Sequence, residues 1–428
     1  MNENIQTTRL ASGLTILTEK MPDVRSVSLT FWLKRGSRHE PSNLNGISHF
    51  IEHAVFKGTE KRSALEIAVE IDRLGGNLDA FTSHETTGFA VKVVDRQLPQ
   101  AFDLLADMLV NARFDERELK REQRVIIEEM KMVEDTPEEL LGEIFQKNFF
   151  PDHSLGLPIE GTRKTVRQFD RKITQEFHAQ VFQPKNLIVA AAGNVEHAEI
   201  EKLVRKFFTV ESFNHKTSGF EPETLNPPKC AAPIIVKKKR GLEQAHLIIA
   251  APWIKARSEK RYAAHLLESI FGNGTSSRLW QSIREKRGLA YSVGASAISF
   301  EDCGIFSIFA ATSPEKLGEV IDLAIDEIRQ IKITGVTEKE LELAKEQTNA
   351  SILLGLEDSG VRAANLAQQE MTHGKTIGIE ETLKKIEAVS VEEIERLANE
   401  FFRTENLALV ALGNINGLNI GRRRLDVD

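Results

Sequence analysis

The sequence repeats itself. Residues 186–194 read NLIVAAAGN, and residues 406–414 read NLALVALGN, an offset of 220. Residues 48–59 (SHFIEHAVFKGT) are matched by residues 264–275 (AHLLESIFGNGT) at an offset of 216. Two matches in the same order at nearly the same offset mark a duplication. Both halves must therefore adopt one fold. A chain of 428 residues also exceeds one ordinary core. Residues 209–233 are rich in Pro, Ser and Asn, lack apolar periodicity, and read as a linker. The expected domains are 1–208 and 234–428.

Within each half, strands alternate with helices. Residues 14–18 and 27–32 are strand-like by β-branched and aromatic content, with Ser12-Gly13 as a turn. Residues 64–74 and 98–110 carry helical periodicity, and 78–83 and 87–94 read as paired strands. The second half repeats this with 290–299, 304–311 and a helix over 314–331. The fold class is α+β, each half a mostly antiparallel sheet with helices packed on one face.

The repeated segment at 48–59 carries chemistry in its first copy. His49-Phe50-Ile51-Glu52-His53 reads H-x-x-E-H. On a helix, residues i and i+4 share a face, so His49 and His53 can grip one Zn²⁺. Glu52 leans over the same face, placed to take a proton from a water held there. A catalytic zinc site needs a third protein ligand. The segment 115–132 (DERELKREQRVIIEEMKM) has strong helical propensity, and Glu128 and Glu129 close its apolar run. Glu122 lies seven residues before Glu129, on the same face. Composition leaves both Glu128 and Glu129 open as the ligand. The second copy keeps His265 and Glu268 but has Ser269 where His53 stands, and 340–353 (ELELAKEQTNASIL) offers no clear third ligand. The second half is expected to hold no metal.

These motifs resemble the pitrilysin/insulinase-type inverzincin metallopeptidases, nearest the mitochondrial-processing-peptidase-like branch. The family pattern is H-x-x-E-H with a ligand Glu about 76 residues on, in a V-I-x-x-E stretch. Glu129 lies 76 residues after His53, at the end of Val125-Ile126-Ile127-Glu128-Glu129. The flanks Gly46-Ile47-Ser48 and Phe56-Lys57-Gly58-Thr59 agree. The resemblance implies a zinc endopeptidase of short or unfolded peptides, with one Zn²⁺ per chain on His49, His53 and Glu129. Glu52 is then the general base and Glu122 an auxiliary acid. It implies that the strand carrying Asp79, Ala80 and Phe81 receives substrate as an added β-strand. Asn is the commoner family residue at Asp79. Arg284-Glu285-Lys286-Arg287-Gly288-Leu289-Ala290-Tyr291 matches the family's R-x₆-Y pair, so Arg284 and Tyr291 would stabilise charge on the scissile carbonyl oxygen. Glu139 and Glu143 match two acidic positions that processing peptidases use to receive a basic residue near the cut. Family members close two such halves like a clamshell. Some serve as non-catalytic or partner subunits, so a homodimer or a heterodimer with a related subunit is implied.

Composition bounds the partners. A net charge of −7 argues against nucleic-acid binding. No run of 18 apolar residues and no apolar stretch near the N-terminus points to a membrane. The two cysteines, Cys230 and Cys303, lie far apart in sequence, which suits a reducing compartment; the expectation is the cytoplasm.

Overall fold

The computed structural model describes residues 4–209, 226–418 and 420–428. Most of the expected linker, 210–225, lies outside the described residues. The chain packs as two compact units, and neither is one continuous stretch. The first comprises Met1–Lys131, Leu157–Leu225 and Leu353–Thr376; the second comprises Met132–Gly156, Asn226–Ile352 and Ile377–Asp428. The expected domains 1–208 and 234–428 thus differ from the packed units by one segment each way.

The first unit holds β1 (Ile5–Arg9), β2 (Thr15–Lys20), β3 (Ser26–Leu33), β4 (Asn77–Thr82), β5 (Thr87–Val94) and β6 (Leu187–Gly193). Their order is β1-β2-β6-β3-β5-β4. All pairs are antiparallel except β2 with β6. β6 enters between β2 and β3, although those two are joined by a short turn. It therefore lies inside the sheet, and every residue of LIVAAAG is buried. An unbroken apolar run is what a strand covered on both faces requires. On one face pack the helices Ile47–Ala54, Leu98–Val110 and His197–Phe207, through Phe50, Ile51, Phe102, Leu105, Ile200 and Val204. On the other lies Ser359–His373, whose Leu366 and Ala367 meet Leu17, Ile188 and Ala190. Polar contacts tie that helix down. Arg362 pairs with the buried Glu19, Ser359 Oγ meets Ser28 Oγ at 2.9 Å, and Arg9 pairs with Glu370 at 2.8 Å.

The second unit repeats the plan. β7 (Ile234–Lys238), β8 (Ala245–Pro252), β9 (Ala290–Ser299), β10 (Gly304–Thr312) and β11 (Ala408–Gly413) run in the order β7-β11-β8-β10-β9, with β7 and β11 the parallel pair. This is the order β2-β6-β3-β5-β4 again, and the two matching segments of sequence form its equivalent strands β6 and β11. Helices Arg261–Gly272, Leu317–Thr334 and Val391–Phe401 bury one face of the sheet. The opposite face carries Pro137–Phe149, started by proline in its first turn. Its Leu141, Phe145 and Phe149, four residues apart, pack on Ala250, Ala408, Val410 and Leu412. Each such side chain contributes roughly 1.5–3 kcal/mol of apolar burial. The duplication therefore exchanges one helix each way, and each sheet gains a cover from the other half of the sequence. No helix among the described residues is long and apolar enough to cross a membrane.

Candidate metal centre

The motif helix Ile47–Ala54 buries Ile47, Phe50, Ile51 and Ala54 and turns His49, Glu52 and His53 away from that core. Its start is built with care. Gly46 sits at φ 95°, where a Cβ would fall 2.5 Å from the carbonyl oxygen of Glu160, so glycine is required twice over. Gly46 offers no capping side chain. The buried Glu40 supplies one from outside the helix: its oxygens accept from Gly46 N and Ser48 N, each at 2.7 Å. Burial pushes the Glu40 carboxyl up to about 7, against these stabilising hydrogen bonds.

The helix Glu116–Asp135 brings the acids. Leu119, Glu122 and Ile126 are buried and recur at three- and four-residue spacing, and Glu129 continues that face. Glu128 points elsewhere, 68% exposed and paired with Lys131 at 2.7 Å. This geometry separates the two glutamates that composition left open. One ligand atom from each of His49, His53 and Glu129 lies within 4.8 Å of the other two, the one such three-residue group among the described residues. The two imidazole centroids are 4.7 Å apart.

The electrostatics are those of a cation site. Burial, helped by the neighbouring His53, lowers the His49 pKa to about 4, so its imidazole is neutral. His49 Nδ1 is buried without a hydrogen-bond partner, a costly arrangement unless something else binds there. Burial also depresses His53, but the acids Glu122, Glu129 and Glu52 outweigh it and raise the ring above its usual range. His53 Nδ1 donates to Glu122 Oε2 at 3.3 Å, while Nε2 lies 3.7 Å from Glu129 Oε2. A carboxylate on one ring nitrogen leaves the other as the metal donor. Lys57 reaches the second oxygen of Glu122 at 3.1 Å. Glu129 is raised chiefly by burial. Two imidazoles and a carboxylate, converging with one unmet nitrogen, fit zinc. Glu52 is also raised by burial, and Thr82 Oγ1 on β4 donates to it at 2.6 Å.

Asp79, Ala80 and Phe81 lie on β4, the last strand in the order, so one of its edges is unpaired in the sheet. Ala80 is half-buried on the motif-helix side. Phe81 stands on the opposite face against Trp32, ring centroids 5.2 Å apart. Asp79 is exposed and accepts from the Asn77 amide.

The remaining expected site residues belong to the second unit. Arg284 ends a π-helical turn, Trp280–Glu285, and Tyr291 stands 78% exposed on β9. The Arg284 guanidinium lies 3.9 Å from the Trp280 ring centroid and 4.5 Å from that of Tyr291, and donates to Tyr291 O at 2.5 Å. Glu139 is exposed and Glu143 half-buried on Pro137–Phe149. In the repeat of the motif, Ser269 is buried, His265 is half-exposed, and Glu268 accepts a hydrogen bond from Ala297 N on β9 at 3.1 Å. Sequence reasoning missed Glu40, Thr82 and Trp280, and it took Lys57 only as part of a matching flank. Trp280 alone had a signal, its i, i+4 spacing to Arg284.

Fold and site together define a class: a duplicated α+β protein whose first copy brings two histidines and a carboxylate together as a candidate metal centre, beside a half-buried glutamate. Residues 15–163 match the family description "Insulinase (Peptidase family M16)" and residues 168–348 match "Peptidase M16 inactive domain". An uncharacterised zinc protease of Bacillus subtilis, YmxG, is 37% identical over 401 residues, covering 94% of this chain and 96% of its own. One from Mycobacterium leprae is 38% identical over 393 residues, 92% of this chain and 88% of its own. The crystal structure of a protease from Helicobacter pylori superposes with a TM-score of 0.86 at 23% identity, covering 96% and 99% of the two chains. A chain of complex III2 from Candida albicans does so at 0.84 and 21% identity, covering 98% of each. At such identities these structures speak for the fold alone. The chain belongs to the insulinase family, peptidase family M16.

Proposed function

We propose that this chain is a zinc-dependent endopeptidase that cleaves short or unfolded polypeptides. The observation that carries the reading is the convergence of His49, His53 and Glu129 donors within 4.8 Å, with Glu52 held one residue away on the same helix. These three residues would hold the metal. When bound, zinc supplies Lewis acidity, making a water acidic near neutral pH and polarising a carbonyl. Glu52, half-buried and oriented by Thr82, takes the proton of the attacking water and passes it to the leaving amine. The free edge of β4 receives the peptide backbone through Asp79, Ala80 and Phe81. Backbone pairing of that kind selects extended chains with little regard for side chains. Arg284 and Tyr291 stabilise the charge that develops on the carbonyl oxygen. Glu139 and Glu143 favour a basic residue near the scissile bond. We further propose that the enzyme works in the cytoplasm, as a homodimer or paired with a related subunit.

The test is hydrolysis of an unstructured, Arg-containing fluorogenic peptide by the purified chain, beside Glu52→Gln and a chelator control. The expected result is turnover lost in both controls, with added zinc restoring the chelator-treated wild type and leaving Glu52→Gln inactive. A zinc-loaded wild type with no turnover on any unfolded peptide would overturn the reading of a self-sufficient peptidase.

A further inference from the structure

Glu122 has two oxygens, held by different residues. Oε2 accepts from His53 Nδ1 at 3.3 Å, and Oε1 lies 3.1 Å from Nζ of Lys57. The carboxylate is buried, whereas the lysine side chain is one-third exposed and reaches inward. Glu52 and Glu129 act on the same His53 ring. Lys57 is thus a cation brought into a cluster of acids.

Its own position is fixed. Lys57 ends a 3₁₀ turn, Val55–Lys57, that follows directly on the motif helix. Gly58 comes next at φ 120°, a conformation that glycine adopts freely and other residues rarely. The carbonyl of Gly58 accepts from Arg113 N at 3.0 Å, and Thr59 bridges to Ala112. Thr59 Oγ1 donates to Asp107 at 2.7 Å, as does Arg62, which also reaches Asp103 at 2.5 Å. A side chain that is ordinarily flexible therefore springs from a pinned turn and meets one carboxylate.

We propose that Lys57 is a positioning residue of the metal centre. By holding Oε1 of Glu122 it keeps Oε2 on Nδ1 of His53, which fixes the ring and leaves Nε2 as its donor. The inference rests on the zinc reading above. Partners outside the ligand shell typically alter metal affinity by about 10–100-fold, and a residue that holds such a partner reaches the lower end of that range.

The experiment measures the zinc Kd of the full chain by competition with a chromophoric chelator, for wild type, Lys57→Met, Lys57→Arg, Glu122→Gln and the double variant Lys57→Met/Glu122→Gln. Lys57→Met should raise Kd about tenfold, and Lys57→Arg, which keeps the cation, only about threefold or less. In the Glu122→Gln background, Lys57→Met should change Kd less than about twofold, because its target is gone. A Lys57→Met Kd within about twofold of wild type, or an equal loss in both backgrounds, would overturn the proposal. Should Lys57→Met fail to fold by circular dichroism, Lys57→Gln takes its place. A wild type that binds no zinc removes the underlying reading and this one together; wild-type binding with unmoved lysine variants removes this one alone.

Discussion

Thr82 Oγ1 donates a 2.6 Å hydrogen bond to Oε2 of Glu52. The edge strand and the carboxylate next to the proposed metal ligands are thereby joined by one bond. Burial raises the Glu52 carboxyl, and the Thr82 bond opposes that rise. A general base works only when ionised, so activity should climb as pH passes upward through its pKa. Thr82→Val preserves the branched shape and removes the donor. The acid limb of kcat/KM should then shift to higher pH. Activity should fall most on the acid side of that limb and little on its plateau, since each unit of pKa is about a tenfold change in the ionised fraction. An unmoved limb would show that Thr82 does not tune the base.

Glu40 gives a prediction in stability rather than rate. Its carboxyl is pushed from 4.5 to about 7 by burial, so the folded chain binds that proton more tightly than the unfolded chain. The resulting contribution is complete below about pH 4.5 and is lost as pH rises through 7. Glu40→Gln removes the titration and turns an amide NH₂ towards a backbone donor, Gly46 N or Ser48 N. An unmet buried donor costs about 1–3 kcal/mol. The variant should melt lower than wild type at pH 5, and its melting temperature should change less between pH 5 and pH 8. Parallel melting curves at the two pH values for both proteins would contradict this.

The exchanged helix Ser359–His373 should be sensitive at one ion pair. Arg362 and Glu19 face each other with side chains only 11% and 6% exposed. Breaking a buried pair from one side strands the other charge and costs about 3–5 kcal/mol. Arg362→Met should lower the melting temperature by several degrees, and Arg362→Met with Glu19→Leu should recover most of it. If the double variant melts no higher than the single, the loss comes from packing of the arginine stem instead.

Much of this was legible in the sequence, for physical reasons. The repeated NLIVAAAGN and NLALVALGN are unbroken apolar runs, and they form β6 and β11, strands covered on both faces. Such continuity is what cover on each side of the sheet requires, yet the alternation of elements led only to helices on one face. Which helix supplies the second cover was not legible. Leu141, Phe145 and Phe149 declare an apolar stripe, but a stripe does not name its sheet, and the helix crosses to the other unit. The pairing of the motif histidines was legible because helical spacing puts both on one face, whereas Glu129 was set apart from Glu128 only by the family resemblance. The roles of Glu40, Thr82 and Lys57 were not legible, since they act through a few polar contacts and no apolar periodicity marks them.

Trp280 carries the last prediction. Its ring underlies the Arg284 guanidinium at 3.9 Å, and its indole nitrogen donates to Glu285 at 3.0 Å, fixing the ring's plane. Arg284 is thus stacked between Trp280 and Tyr291. An exposed contact of a cation with an aromatic ring is worth about 0.5–1 kcal/mol, so Trp280→Leu should loosen the arginine without unfolding the sheet behind it. The expected result is a kcat about two- to fivefold lower, by that energy, with zinc content unchanged. Tyr291→Phe, which deletes the proposed donor itself, should cost about a hundredfold or more. Steady-state kinetics with parallel metal analysis reads both. A Trp280→Leu variant as impaired as Tyr291→Phe would make the indole, rather than the tyrosine hydroxyl, the group on which the second half's contribution depends.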